Sequence, residues 1–158
     1  MSNPAPEKNI RRRAPIALKD CPMAKATDIL ADKWTLLILR EALYGVQRYD
    51  DMRADLQAPR SMLTDRLSKL VDHGLMERQS YQEPGSRARQ AYVLTSMGRE
   101  LALTLLALSQ WGEAHVIDGN APYDVKDTKT GGNLRVALVD EKGKVVDLTR
   151  AQIVPKRK

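Results

Sequence analysis

Arg60, Ser61, Thr64 and Lys69 recur at spacings that, in a helix, leave them on the face opposite Leu63, Leu67 and Leu70. A guanidinium, two hydroxyls and an ammonium so arranged are the groups that meet base edges and phosphates in a nucleic-acid groove. Arg60 and Ser61, nearest the start, are the candidate base-edge readers. Thr64 could read a base edge or a thymine methyl, and Lys69, further down the helix, is placed to hold phosphate. Asp65 shares that outward face, where DNA repels a carboxylate, so pairing with Arg66 is expected. Further along, Arg87 and Arg89 flank Ala88, and in an extended strand both would project to one side, as phosphate or minor-groove contacts require. A solvated turn is the plainer alternative for this pair.

Other chemistries find little support. Cys21 is the single cysteine, which excludes an internal disulfide, and no Cys and His pair has metal-ligand spacing. No Ser, His and Asp set or paired-carboxylate motif stands out, and Gly131 and Gly132 lack the Lys and Ser or Thr of a phosphate loop. No enzyme, metal or cofactor is expected. His73 and His115 stand alone near helix ends, where a structural role suits them. Cys21 precedes a helix start, a position that favours thiolate, although no second cysteine is there to resolve it and packing is the favoured reading.

Lys and Arg number 26 against 20 Asp and Glu, a formal charge of +6, which fits an anionic partner such as nucleic acid as well as simple solubility. No apolar run reaches membrane-spanning length and no secretion signal follows Arg11, Arg12 and Arg13, so no membrane partner and a cytoplasmic location are expected.

The elements that must position these residues follow from the pattern. Residues 1–20, with Pro4, Pro6 and Pro15 among charges, read as a flexible basic arm. A helix opens at Pro22, with Asp20 or Cys21 at its cap. Trp34 to Leu43, apolar on nearly every face, reads as a buried central helix ended by Gly45. Tyr49, Met52, Arg53 and Leu56 mark a short helix, Ala58 and Pro59 break the chain, and Arg60 to His73 forms the next helix, closed by Gly74. Leu75–Gln82 and Gln90–Leu94 read as strands around a basic tip, a wing over residues 83–90. Thr95 or Ser96 caps a long helix, Met97 to Val116, although Arg99 stands where a capping box needs an acid. That helix carries one stripe of Leu101, Leu105, Leu108 and Trp111 and a second of Leu103, Leu106 and Gln110. Two apolar faces call for more cover than one core gives, and a partner subunit is the simplest cover. Leu134–Asp140 and Val145–Leu148 predict a small appended hairpin, ahead of a basic tail at Pro155–Lys158.

The order helix, buried helix, short helix, turn, helix, hairpin, long helix is the layout of a winged helix-turn-helix. In its residues the chain resembles the HxlR-type winged helix-turn-helix regulators of bacteria. The likeness runs from Cys21–Ala24 through Asp32–Glu41 and Arg48–Met52, then Leu63, Thr64, Arg66, Leu67, Leu70, Gly74 and Leu75, and finally Tyr92, Leu94, Thr95, Gly98–Leu101, Trp111 and Gly112. It implies a homodimer on a pseudo-palindromic, double-stranded DNA operator, repressing or activating nearby genes, with the first and last helices building the dimer. It also implies a candidate redox role for Cys21, since some members sense oxidants through a cysteine near this place.

The expected fold is therefore α+β, mainly helical, with an arm over 1–20, a DNA-binding and dimerisation domain over 21–118, and a C-terminal extension over 119–158. The dimer-contact candidates are Leu101, Leu105, Leu108 and Trp111. A small-molecule effector or a redox signal between subunits is a further candidate partner. The alternative is a winged-helix protein-interaction module that never meets DNA.

Overall fold

The computed structural model describes residues 13–156. The expected arm lies mostly outside the described residues, as does part of the expected basic tail; within 13–20 there is one 3-10 turn, Leu18–Asp20. Helix α1, Pro22–Leu30, opens on Cys21, with proline where its fixed φ and missing N–H cost nothing.

Helix α2, Lys33–Leu43, starts on Asp32, whose carboxylate accepts from the backbone N–H groups of Trp34 at 3.0 Å and Thr35 at 3.1 Å. Helices α3, Tyr49–Leu56, and α4, Arg60–Asp72, form the expected pair. The break between them begins one residue before Ala58, at Gln57, which takes the left-handed conformation at φ 49°. His73 is the C-cap of α4 rather than its last residue, and Gly74 follows at φ 71°.

Strands β1, Met76–Tyr81, and β2, Arg89–Leu94, pair antiparallel with Met76 opposite Leu94 and Tyr81 opposite Arg89. A third contributor escapes the sequence pattern: Arg48 bridges to Ala91, and the Tyr92 N–H donates to the Gln47 carbonyl at 2.8 Å. The segment just before α3 is thereby stitched to the wing.

The core gathers Ile38 and Leu39 from α2, Met52 from α3, Leu63, Leu67 and Leu70 from α4, and Leu75, Met76 and Leu94 from the hairpin. Burying each such side chain contributes about 1.5–3 kcal/mol. Helix α2 departs from the expected all-round burial. Leu36 and Leu37 are only half-buried, because one chain supplies a core to one side of this helix.

The single helix expected over Met97–Val116 is two, α5 Ser96–Glu100 and α6 Ala102–Val116, meeting at Leu101, whose N–H bonds the Gly98 carbonyl in a tightened turn. Thr95 caps α5, its hydroxyl accepting from the Gly98 N–H at 3.1 Å. With Thr95 as the cap, Gly98 and not Arg99 stands at the capping-box position, and Arg99 turns back to donate to the Leu94 carbonyl at 2.6 Å. Gly98 is pressed against the backbone entering β1: a Cβ there would lie 2.0 Å from the Leu75 carbonyl oxygen.

The appended hairpin is shorter than expected. Strands β3, Leu138–Val139, and β4, Val145–Val146, pair around a turn held by the Asp140 carboxylate, which accepts from the N–H groups of Lys142 and Lys144. Leu134–Val136 runs along α6 instead of extending the hairpin. The Gln110 amide donates to the Val136 carbonyl at 3.1 Å and accepts from the Val136 N–H at 3.0 Å, and Ser109 and Tyr123 share a hydroxyl contact beside it. The second face of the last helix is therefore partly covered by the chain's own extension, where a partner subunit was expected. Leu103 stays 67% exposed. Among the described residues no helix is long and apolar enough to cross a membrane.

Candidate nucleic-acid interface

With Leu63, Leu67 and Leu70 fully buried, α4 turns Arg60, Ser61, Thr64, Asp65 and Lys69 to solvent, as its period requires. Arg60 is its first residue. The wing faces the same end. Arg60, Arg87 and Arg89 line one open cleft of about 590 Å³ together with Tyr49, Asp50, Tyr81 and Tyr92. Ser61, Thr64 and Lys69 lie along α4 outside that cleft. The expected strand geometry of Arg87 and Arg89 holds only for Arg89, which opens β2; Arg87 belongs to the loop, and the turn at Gly85, φ 77°, brings it back to the same cleft.

Three consecutive residues at the start of α3 tie helix and wing together, and none is among the sequence candidates. Arg48 pairs with Glu83 at 2.7 Å while its guanidinium lies 5.0 Å from the Tyr81 ring centroid. The Tyr49 hydroxyl donates to the Arg60 carbonyl at 2.9 Å and lies 3.0 Å from Thr64 Oγ1. Asp50 approaches Arg89 at 3.7 Å. The available signal was polar groups at the head of a helix whose other face is apolar, but their partners lie far along the chain.

Asp65 pairs with Arg66, as expected, and also with Lys69 at 3.3 Å, so the proposed phosphate holder already has an acidic neighbour. Arg66 also reaches back to Asp32, Nε to Oδ2 at 3.0 Å, as an ion pair rather than an aligned hydrogen bond. Burial alone would raise the Asp32 pKa; bonds from the Thr35 hydroxyl and N–H, with the Arg66 guanidinium, outweigh it and hold the group below its ordinary value. Asp32 in turn raises Arg66 against the opposing effect of burial.

Cys21 is a half-buried free thiol whose side chain makes no capping bond to α1. The stripe on α6 divides. Leu101 and Leu105 pack half-buried against the chain's own core, while Leu108 and Trp111 are 50% and 59% exposed. Leu108 and Leu105 border an apolar groove of about 830 Å³ with Leu36, Leu37 and Tyr44, closed on one side by residues 123–126. Among the described residues no group of His, Cys, Asp or Glu side chains is arranged to hold a metal.

The sequence pattern of the HxlR-like helix-turn-helix family matches residues 29–119, more than half of the 158-residue chain. The chain belongs to the HxlR-like helix-turn-helix family. The resemblance read from its residues is thus confirmed, and so is the winged helix-turn-helix fold. An uncharacterized HTH-type transcriptional regulator of Mycobacterium bovis is 38% identical over 94 residues, which are 60% of this HxlR-like chain and 58% of the relative. The match spans little more than half the length of that relative. Among solved structures, PA1607, described as a transcription factor, superposes with a TM-score of 0.74 at 28% identity, covering 86% of this chain and 95% of its own. That coverage runs past residue 119 into the extension. The redox regulator HypR, in its oxidized form, matches with a TM-score of 0.53 at 27% identity over 60% of this chain and 96% of its own.

Proposed function

We propose that this HxlR-like protein is a DNA-binding transcriptional regulator that seats α4 in the major groove of an operator and lays the wing on the adjacent backbone or minor groove. The observation that carries this reading is the convergence of Arg60, Arg87 and Arg89 on one cleft. On this reading a base-reading position and two backbone-holding positions share a single footprint. Arg60 and Ser61 read base edges, Thr64 adds a further contact, and Lys69 exchanges its bond with Asp65 for a phosphate.

The operator is pseudo-palindromic and the protein acts on it as a homodimer. Supporting this, α6 leaves Leu108 and Trp111 exposed and α2 leaves Leu36 and Leu37 half-covered, an apolar surface that a second copy would bury. Leu101 and Leu105 contribute to the contact from its inner edge. A redox or small-molecule signal alters the dimer; Cys21 is the only thiol through which redox could act, and the likeness to HypR favours that arm. In this role the protein works in the cytoplasm as a binding protein and not as an enzyme.

The test is footprinting and fluorescence-anisotropy binding on the DNA upstream of the protein's own gene. A specific, two-fold symmetric footprint that Arg60→Ala weakens supports the proposal; absence of any specific complex at moderate salt contradicts it.

A further inference from the structure

Tyr49 is not on α4, yet its hydroxyl is bound to two points of that helix: the carbonyl of Arg60, at 2.9 Å, and the Thr64 side chain, at 3.0 Å. Its side chain is half-buried against the hydrophobic core, so the hydroxyl hangs from a fixed support. Arg60 and Thr64 are both exposed and stand one turn apart. Pro59, as N-cap, offers no side-chain oxygen to this helix start. The tyrosine is the group that orients the first turn from outside.

We infer that Tyr49 is a specificity-determining positioning residue: its hydroxyl fixes the Thr64 side chain and the entry of α4, and so decides which base Thr64 accepts. The inference rests on the operator-binding reading above. A threonine hydroxyl rotates freely in solution and can donate or accept. With the Tyr49 hydrogen committed to the Arg60 carbonyl, the Tyr49 oxygen accepts from Thr64, whose own lone pairs are left facing outward. Thr64 then presents an acceptor and a methyl, a combination suited to a base-edge amino donor, as on adenine or cytosine, with a thymine methyl alongside. Without Tyr49 the hydroxyl turns, and donor and acceptor bases become equivalent to it.

The experiment uses a duplex selected from a random pool by the full-length wild-type protein, followed by binding measurements on all of its single-base variants. Tyr49→Phe, which keeps the ring and removes one oxygen, should flatten the preference at a single position per half-site by about 2- to 10-fold while leaving the salt slope unchanged. Thr64→Val should flatten the same position, and Thr64→Ser, which retains the hydroxyl but not the methyl, should keep the wild-type preference at that position. A Tyr49→Phe protein that keeps the full wild-type base profile, or loses affinity equally for every variant, overturns the inference while leaving operator binding standing. So does a Thr64→Val protein whose altered position differs from that of Tyr49→Phe. Failure of the wild type to select any duplex overturns the operator reading and this inference with it.

Discussion

Arg66 of α4 places its Nε 3.0 Å from Oδ2 of Asp32, the carboxylate that caps α2. One acidic side chain thus starts the central helix and anchors the helix proposed to enter DNA. Truncating it removes both functions. Asp32→Asn keeps some capping ability but loses the ion pair, whereas Asp32→Ala loses both and should cost about 1–2 kcal/mol from the cap alone, measured by urea unfolding.

The same pair sets a pH dependence. The Asp32 pKa is lowered in the folded state, so its contribution to stability is present above the unfolded value, about 4, and is lost as pH falls through the lower folded value. As pH falls below about 4, unfolding free energy should therefore fall more steeply in the wild type than in Asp32→Asn. Parallel curves in urea titrations would remove the ion pair from the account.

Gly98 gives a prediction with an inverted sign. In an exposed helix, Gly→Ala adds roughly 1 kcal/mol of stability. Here the new methyl would meet the Leu75 carbonyl at 2.0 Å, backbone that cannot swing aside, so Gly98→Ala should destabilise by about 1–3 kcal/mol in thermal or chemical unfolding.

Asp50 stands 3.7 Å from Arg89 and competes with phosphate for it. Both side chains are well exposed, so the pair adds little to the fold. Asp50→Asn should tighten DNA binding several-fold at low salt, and the gain should shrink as salt screens the charge. Anisotropy titrations at two salt concentrations check this, and unchanged affinity at low salt counts against Arg89 as a phosphate contact.

Leu108 and Trp111 should be expendable to the folded chain and necessary to the dimer. Leu108→Glu or Trp111→Glu should leave the helical circular dichroism intact, shift sedimentation to the monomer, and weaken operator binding by the loss of the second half-site.

The helix pair was legible because Leu63, Leu67 and Leu70 recur at a helical period, and Pro59 and Gly74 punctuate it. The wing was legible from Pro84, Gly85 and Ser86 between two apolar-polar runs. Local pattern reached no further. The break at Leu101, where the N–H bonds the Gly98 carbonyl, leaves no mark in the apolar period of Met97–Val116, which predicts one helix where the chain makes two. Leu134–Val136 alternates like a strand, but the Leu134 N–H goes to the Val125 carbonyl and the Val136 backbone to the Gln110 side chain, not to the hairpin. Arg60, Thr64, Arg87 and Arg89 were legible as outward polar groups, whereas Arg48, Tyr49 and Asp50 acquire their roles only from partners that the fold brings to them.

The convergence of Arg60 with the wing arginines is the centre of this account, and the salt dependence of DNA binding tests it most directly. Affinity for the selected operator and for an unrelated duplex should be measured across a salt series in the wild type, Arg60→Ala, Arg87→Ala and Arg89→Ala. Arg87→Ala and Arg89→Ala should weaken both duplexes alike and each lower the slope of log affinity against log salt by about 0.9 per lost phosphate contact. Arg60→Ala should weaken the operator by about 1–3 kcal/mol and the unrelated duplex much less. Slopes unchanged in both wing variants, with operator preference intact in Arg60→Ala, would contradict the assignment of this cleft to DNA.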